Sequence, residues 1–249
     1  MVPGEASGPK PFVLWLHGYG ADPARLRAAL HLPELAAERD FAWSAPSGLM
    51  DSRKRRFWNA GACCNYDNNP ADDVARLSNI LAHAKVDPRI DPARIYVVGF
   101  SNGGFMAHRL ACESSVGIAG FASLAGAGPP ASKTCSPAGP TAAIHVHGDA
   151  DVTVRMLGGS VFDDPRLGVH APVSTTMTEW SVRNHCTGQE STKISLLAKP
   201  LDTTVLTYKG CVAPVQLWTL AGGGHLTVNA APVVRRTLDT LFSVRGGPR

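Results

Sequence analysis

The order of segments predicts an α/β protein built on a mostly parallel central sheet with helices on both faces, because apolar strand-like runs alternate with helical stretches throughout the 249 residues. Two further observations agree. Runs such as Pro11 to Leu16 are continuously apolar, as strands buried on both faces require. The runs also end in glycine-rich loops, at His17-Gly18-Tyr19-Gly20, Gly99 to Gly104, Gly148 and Gly222-Gly223-Gly224, so residues able to do chemistry gather at the C-terminal ends of strands. With no repeat or linker visible, the expected organisation is a flexible N-terminal segment over 1–10 and a single domain over 11–249.

The first strand, Pro11 to Leu16, emerges between glycines at Tyr19, whose backbone amide is a candidate oxyanion donor; a plain strand-ending turn reads equally well from this stretch alone. Asp22-Pro23 then starts a helix, with Asp as cap and Pro in the first turn. Phe41 to Pro46 reads as a short strand, followed by a long loop to Pro70 that carries Trp58, Asn59, Tyr66 and the Cys63-Cys64 pair. Loops of this length are usually functional, so Trp58 and Asn59 are candidate walls of a substrate cleft, against the alternative that the aromatic simply pins the loop. Asp72-Asp73 charge the start of the next helix, and Val74, Leu77, Leu81 and Ala84 supply one apolar face. Turns at Asp87-Pro88 and Asp91-Pro92 deliver the chain to the central motif.

That motif runs from Ile95 to Leu110. Four β-favouring residues enter Gly99-Phe100-Ser101-Asn102-Gly103, and apolar positions 105, 106 and 110 then recur at helical spacing. The G-x-S-x-G pattern between a strand and a helix forces a strained turn that exposes the serine hydroxyl, with the amide of the following residue positioned to bind an oxyanion. Ser101 is therefore the candidate nucleophile and Asn102 the second candidate oxyanion donor.

Downstream, Phe121 to Gly126 and Thr141 to His147 read as strands. The second ends in Gly148-Asp149-Ala150-Asp151, whose two carboxylates are candidates for a triad acid or for ordinary turn residues. Residues 158 to 173 read as a loop excursion, and Ser174 is expected to cap a helix through Met177 and Trp180 to Asn184. Strands at Thr203 to Tyr208 and Val215 to Leu220 follow. The latter runs into Gly222-Gly223-Gly224-His225, placing His225 where a triad base belongs in the order Ser, acid, His. Pro232 to Phe242 closes the chain as a helix. Of the other histidines, only His17 stands beside a candidate loop, and it reads as structural.

Composition narrows the function classes. The net charge is +4, and Arg53-Lys54-Arg55-Arg56 is the one dense basic run, too little to indicate a nucleic-acid partner. No apolar run approaches the roughly 18 residues of a membrane helix. The six cysteines lack zinc-ligand spacing, so no metal is expected, and an even count in Gly/Pro-rich loops points to disulfides. The expected bridges are Cys112 with Cys135 and Cys186 with Cys211, leaving Cys63 and Cys64 as a vicinal disulfide or a reduced pair. An oxidising compartment, extracellular or periplasmic, follows from that expectation. The N-terminus shows neither a basic start nor an apolar signal core.

Taken together, Asp72-Asp73-Val74, Val86-Asp87-Pro88, Gly99 to Glu113, His147-Gly148-x-Ala-Asp151-x-x-Val154, Trp180 with Asn184-x-Cys186, Tyr208-x-Gly-Cys211, and Leu217-Trp218 with Gly222 to His225 resemble the esterases of the polyhydroxybutyrate depolymerase and feruloyl esterase group over residues 11 to 230. The resemblance implies an α/β-hydrolase fold without metal or cofactor. It also implies that Asp151 rather than Asp149 is the acid of a Ser101-Asp151-His225 triad acting on an ester substrate, and the protein is expected to be a monomer. Many relatives follow the histidine with Trp-Pro-Gly, whereas this chain has Leu226-Thr227-Val228, so one side of the acyl pocket differs from theirs. An acyltransferase using the same triad and a catalytically silent binding protein of the same fold are the competing readings.

Overall fold

A computed structural model describes residues 8–128, 135–197 and 202–246. In chain order the elements are Lys10–Leu16 (β1), Pro23–Ala29 (α1), Leu32–Arg39 (α2), Ala42–Ser44 (β2), Leu49–Met50 (β3), Arg56–Phe57 (β4), Asp73–Val86 (α3), Ile90–Phe100 (β5) and Asn102–Glu113 (α4). Gly120–Leu124 (β6), Ala142–Gly148 (β7), Gly159–Ser160 (β8), Val169–His170 (β9), Val173–Arg183 (α5), Gly188–Ile194 (β10), Thr203–Lys209 (β11), Val215–Leu220 (β12) and Ala231–Phe242 (α6) complete them.

One eight-stranded sheet has the order β10-β11-β12-β7-β6-β5-β1-β2. Pairing is parallel from β2 through to β12 and antiparallel from β12 to β10. The predicted fold class is borne out. Successive strand residues point to opposite faces, and both faces are apolar. Phe12, Leu14, Ile95, Val97 and Phe121 pack with Leu77, Leu81, Phe105, Leu110, Met177 and Trp180 of α3, α4 and α5. Val13, Trp15, Tyr96, Val98, Ile144 and Val146 pack with Leu26, Leu35, Val234 and Leu238 of α1, α2 and α6. After β1 the chain steps outward to β2 and then returns to β5 on the other side of β1. The switch point of the sheet therefore lies between β1 and β5, where ligands of open α/β sheets bind.

Two of the expected helix starts form as read. Asp22 accepts from Arg25 N–H at 2.8 Å to cap α1, and Asp72 accepts from Ala75 N–H at 2.9 Å to cap α3. Ser174 does not cap α5. The cap is Pro172, and Ser174 lies inside the helix, because Pro172 holds an extended conformation (φ −51°, ψ 140°) from which Val173 already enters it. The expected turn at Asp91-Pro92 is absorbed into β5, whose pairing with β1 skips from Lys10 opposite Ile90 to Phe12 opposite Ile95. At the N-terminus, residues 1–7 of the segment expected to be flexible lie outside the described residues. Lys10 is already in β1, buried with its ammonium on Asp40.

Both expected bridges form, Cys112 with Cys135 and Cys186 with Cys211, and of the two alternatives left open for the adjacent Cys63 and Cys64 the structure takes the vicinal disulfide. Thiol titration of the denatured, unreduced protein is expected to detect no free thiol. Six thiols would contradict all three bridges.

Candidate active site

Ser101 occupies the turn between β5 and α4 with φ 53° and ψ −119°, a conformation that a non-glycine residue adopts only under constraint. The constraint is visible in the packing. Its N–H donates to Leu124 O at 2.8 Å, and its carbonyl accepts from Phe105 N–H at 3.0 Å. A methyl group at Gly99 would lie 1.9 Å from Gly103 O, and one at Gly103 would lie 2.1 Å from Leu16 O. The two glycines of G-x-S-x-G are thus what lets α4 start against both its own strand and the end of β1.

The loop after β1 stands across from the serine, since a methyl group at Gly18 would come within 3.3 Å of Ser101 Cβ. His17 fixes the orientation of this loop. Gly48 N–H donates to His17 Nε2 at 3.0 Å, which leaves the proton on Nδ1 to donate to Gly18 O at 2.8 Å. Burial, the largest influence on this ring, pushes its pKa down and keeps it neutral. Gly18 O also accepts from Ala21 N–H at 3.1 Å. In a planar trans peptide the N–H of Tyr19 must point opposite to that carbonyl, away from both donors. Neither Tyr19 N–H nor Asn102 N–H has a partner among the described residues. The Tyr19 side chain turns elsewhere, donating to Asp51 at 2.5 Å and accepting from Arg53 at 2.7 Å. Burial and the Asp51 carboxylate push its phenol up to about 12.

Trp58 corrects an expectation. It is 0 % exposed and therefore offers no face to a substrate cleft. Its indole donates to His17 O at 2.9 Å, and its backbone N–H and carbonyl are both bound by the Asn102 side chain, at 2.7 and 3.0 Å. The aromatic pins the long loop and joins the two candidate oxyanion donors into one frame. Asn59 is also engaged in the loop: its side-chain amide donates to Asn69 O and Ala71 O, and its N–H donates to the buried carboxylate of Asp73 at 2.7 Å.

At the other side of the site, Asp151 Oδ2 accepts from His225 Nδ1 at 2.7 Å, while Oδ1 accepts from the N–H groups of Thr153 and Val154 at 2.8 and 3.0 Å. Desolvation raises the Asp151 pKa, but the neighbouring His147 ring and the hydrogen bond from His225 outweigh it and hold the carboxyl well below the usual carboxylate range. Asp149 is exposed and accepts from Gly222 N–H at 2.7 Å, tying the loop after β7 to the loop that carries His225. These loops meet closely: a methyl group at Gly148 would fall 2.0 Å from Gly223 O. The His225 ring packs on Phe100, with centroids 5.0 Å apart, one residue before Ser101. With Nδ1 engaged by Asp151, its Nε2 is left as the proton acceptor. No hydrogen bond yet joins Nε2 to Ser101 Oγ, a contact that commonly tightens only with substrate in place. Val152 and Leu226, the residues after Asp151 and His225, are 72 % and 71 % exposed and give the rim an apolar edge.

A family model described as phospholipase/carboxylesterase matches residues 2–167. The chain belongs to the phospholipase/carboxylesterase family. Among individual proteins of this kind, the putative esterase NocK of Nocardia uniformis subsp. tsuyamanensis is 29% identical over 228 residues, covering 87% of this chain and 65% of that protein. Feruloyl esterase B of Piromyces equi is 31% identical over 175 residues, covering 68% of this chain and 31% of that protein. The chain thus spans less than two thirds of the length of either relative. In three dimensions the carboxylesterase-family chain superposes on the acetyl xylan esterase from Aspergillus awamori with a TM-score of 0.66 at 12% identity, covering 98% and 92% of the two chains. A Bacillus cereus carboxylesterase gives 0.58 at 16%, covering 95% and 92%. These likenesses show the α/β-hydrolase fold, and the family match bears out the resemblance read from the motifs.

The sequence reading missed a set of buried histidines behind Asp151. His145 and His147 lie two residues apart on β7, so their side chains share one face of a buried strand, a spacing that the sequence does display. His108 on α4 completes the set, and all three are essentially inaccessible. Among the described residues, no cluster of His, Cys, Asp or Glu is suited to hold a metal ion. Burial pushes His108 down to about 3 and lowers His145, His17 and His170 as well. Because these folded-state values lie below the unfolded value of about 6.5, the unfolded chain binds more protons, and their contribution is present above that pH and lost below it. The thermal midpoint is therefore expected to fall between pH 7 and pH 5, before most carboxylates titrate. A flat midpoint across that range would contradict neutral buried histidines.

Proposed function

We propose that this protein is a serine carboxylic-ester hydrolase working through an acyl-enzyme, with Ser101 as nucleophile, His225 as base and Asp151 as acid. The observation that carries the reading is the strained Ser101 turn, flanked by the unpartnered Tyr19 and Asn102 amides on one side and by the 2.7 Å Asp151–His225 pair on the other. His225 Nε2 takes the proton of Ser101 as Oγ attacks the ester carbonyl, and the two amides receive the oxyanion. The imidazolium, supported by Asp151, then protonates the leaving alcohol. Water, deprotonated by His225, attacks the acyl-enzyme and releases the acid.

The substrate class we infer is feruloyl or related aryl-acyl esters, or hydroxyalkanoate oligomers of the polyhydroxybutyrate type. The feruloyl esterase relative and the apolar rim at Val152 and Leu226 support it. The reading includes one catalytic domain over 11–249 acting as a monomer outside the cytoplasm, and the three disulfides support an oxidising compartment. The test is a panel of 4-nitrophenyl acetate, methyl ferulate, hydroxybutyrate oligomers and amorphous polyhydroxybutyrate. Hydrolysis of the soluble esters is expected, with methyl ferulate or the oligomers turned over faster than the polymer. A folded protein that cleaves none of them would overturn the reading.

A further inference from the structure

The buried histidines form a continuous hydrogen-bonded chain that ends on Val154 O, beside the candidate acid. Trp180 Nε1 on α5 donates to His108 Nδ1 at 3.0 Å. An indole nitrogen is only a donor, so the neutral His108 ring carries its proton on Nε2. That atom lies 3.3 Å from His145 Nδ1, and His145 Nε2 in turn lies 3.0 Å from His147 Nδ1. The His147 Nε2–H then donates to Val154 O at 2.7 Å, with Asp151 Oδ2 3.4 Å away. Both ends demand the same direction: a donor enters at Trp180, and only acceptors wait at Asp151.

Neutral rings satisfy every link in this one pattern. All three N–H dipoles point their positive ends towards the carboxylate, in a region from which water is excluded and such dipoles act strongly. The other groups facing the chain are Arg183 on α5, close to His108, and His170 on β9, close to His147 and Asp151. The Phe121 ring lies against both His108 and Trp180, with centroids 4.8 and 4.9 Å away. Asp151 is the carboxylate beside which the chain ends, and its Oδ1 accepts from the N–H of the same Val154. A purely structural core position would be filled at lower desolvation cost by an apolar side chain, whereas three consecutive imidazoles in one orientation have a use if the anion at their end must be held.

We propose that His147, oriented through His145, His108 and Trp180, is a positioning residue for the triad: its Nε2–H holds Val154, whose N–H binds Asp151 Oδ1, and lies beside Oδ2, so that the carboxylate is placed to meet His225 Nδ1. The proposal rests on the triad reading given above. It is tested with His147→Leu and His147→Gln, measuring kcat and KM on 4-nitrophenyl acetate. Leucine cannot donate, whereas the glutamine amide places an N–H close to where Nε2–H stands. His147→Leu is expected to lower kcat about ten- to a hundredfold, the usual scale for a buried acceptor left without its donor, with KM little changed. His147→Gln should recover most of that loss. A folded His147→Leu protein with the parental kcat, or a glutamine variant no better than leucine, would overturn the proposal. Should the leucine variant fail to fold, ring ¹⁵N spectra of the unsubstituted protein decide. Nε2–H tautomers at His108, His145 and His147 are expected, and an Nδ1–H tautomer at His147 would overturn it. These spectra read protonation without turnover, so they separate a failure of the histidine chain from a failure of Ser101 as nucleophile.

Discussion

Ser101→Ala is expected to reduce hydrolysis of 4-nitrophenyl acetate by at least about 10⁴-fold while leaving the fold intact. The size of the effect follows from the covalent step, because no other nucleophile stands in the strained turn between the two open amides. The fold survives because Ser101 is held through its backbone, by Leu124 O and Phe105 N–H, and its side chain makes none of the bonds that close the turn. Alanine also relieves nothing of the positive φ, so the turn geometry is retained. Circular dichroism and a thermal midpoint close to the parental value would accompany the lost activity. Parental turnover in the variant would remove Ser101 from the mechanism.

Asp151→Asn is expected to cost about 10⁴-fold in kcat with a much smaller change in KM. The amide oxygen can keep the bonds from Thr153 and Val154 N–H, which leaves the NH₂ group facing His225 Nδ1. Two donors cannot share that contact, so the imidazole proton moves to Nε2, the atom that must accept from Ser101. The base is then present and correctly placed but in the wrong tautomer. A variant with kcat within tenfold of the parent would show that Asp151 does not fix the tautomer of His225.

The parts of the site legible in the sequence were those written in local backbone chemistry. Gly99 and Gly103 announced the turn at Ser101 because no other residue can stand that close to Gly103 O and Leu16 O. Asp22 and Asp72 announced helix starts because their side chains cap the next turn. What escaped depends on contacts distant along the chain. Helix α2 is entered from His31 in a left-handed conformation (φ 47°) with no side-chain cap, so only Pro33 and Glu34 in its first turn mark its start. Strand β10, Gly188–Ile194, is an edge strand with nearly every residue exposed, and its polar composition hides it. The sequence could not choose between cleft wall and loop pin for Trp58, because nothing in its neighbourhood indicates that Asn102 would bind both of its backbone groups. The histidine chain joins two residues of β7 to one of α4 and to Trp180 of α5. The two-residue spacing of His145 and His147 was its only local trace.

The central claim, that Ser101 forms a covalent intermediate supported by His225 and Asp151, is tested most directly by stoichiometric reaction with an alkyl phosphonate ester followed by intact-mass measurement and peptide mapping. The mechanism predicts one adduct per chain, located on Ser101, with hydrolysis lost in proportion to labelling and no adduct in Ser101→Ala. Labelling of a different residue in parallel with inactivation, or full hydrolytic activity in a chain fully modified at Ser101, would contradict it.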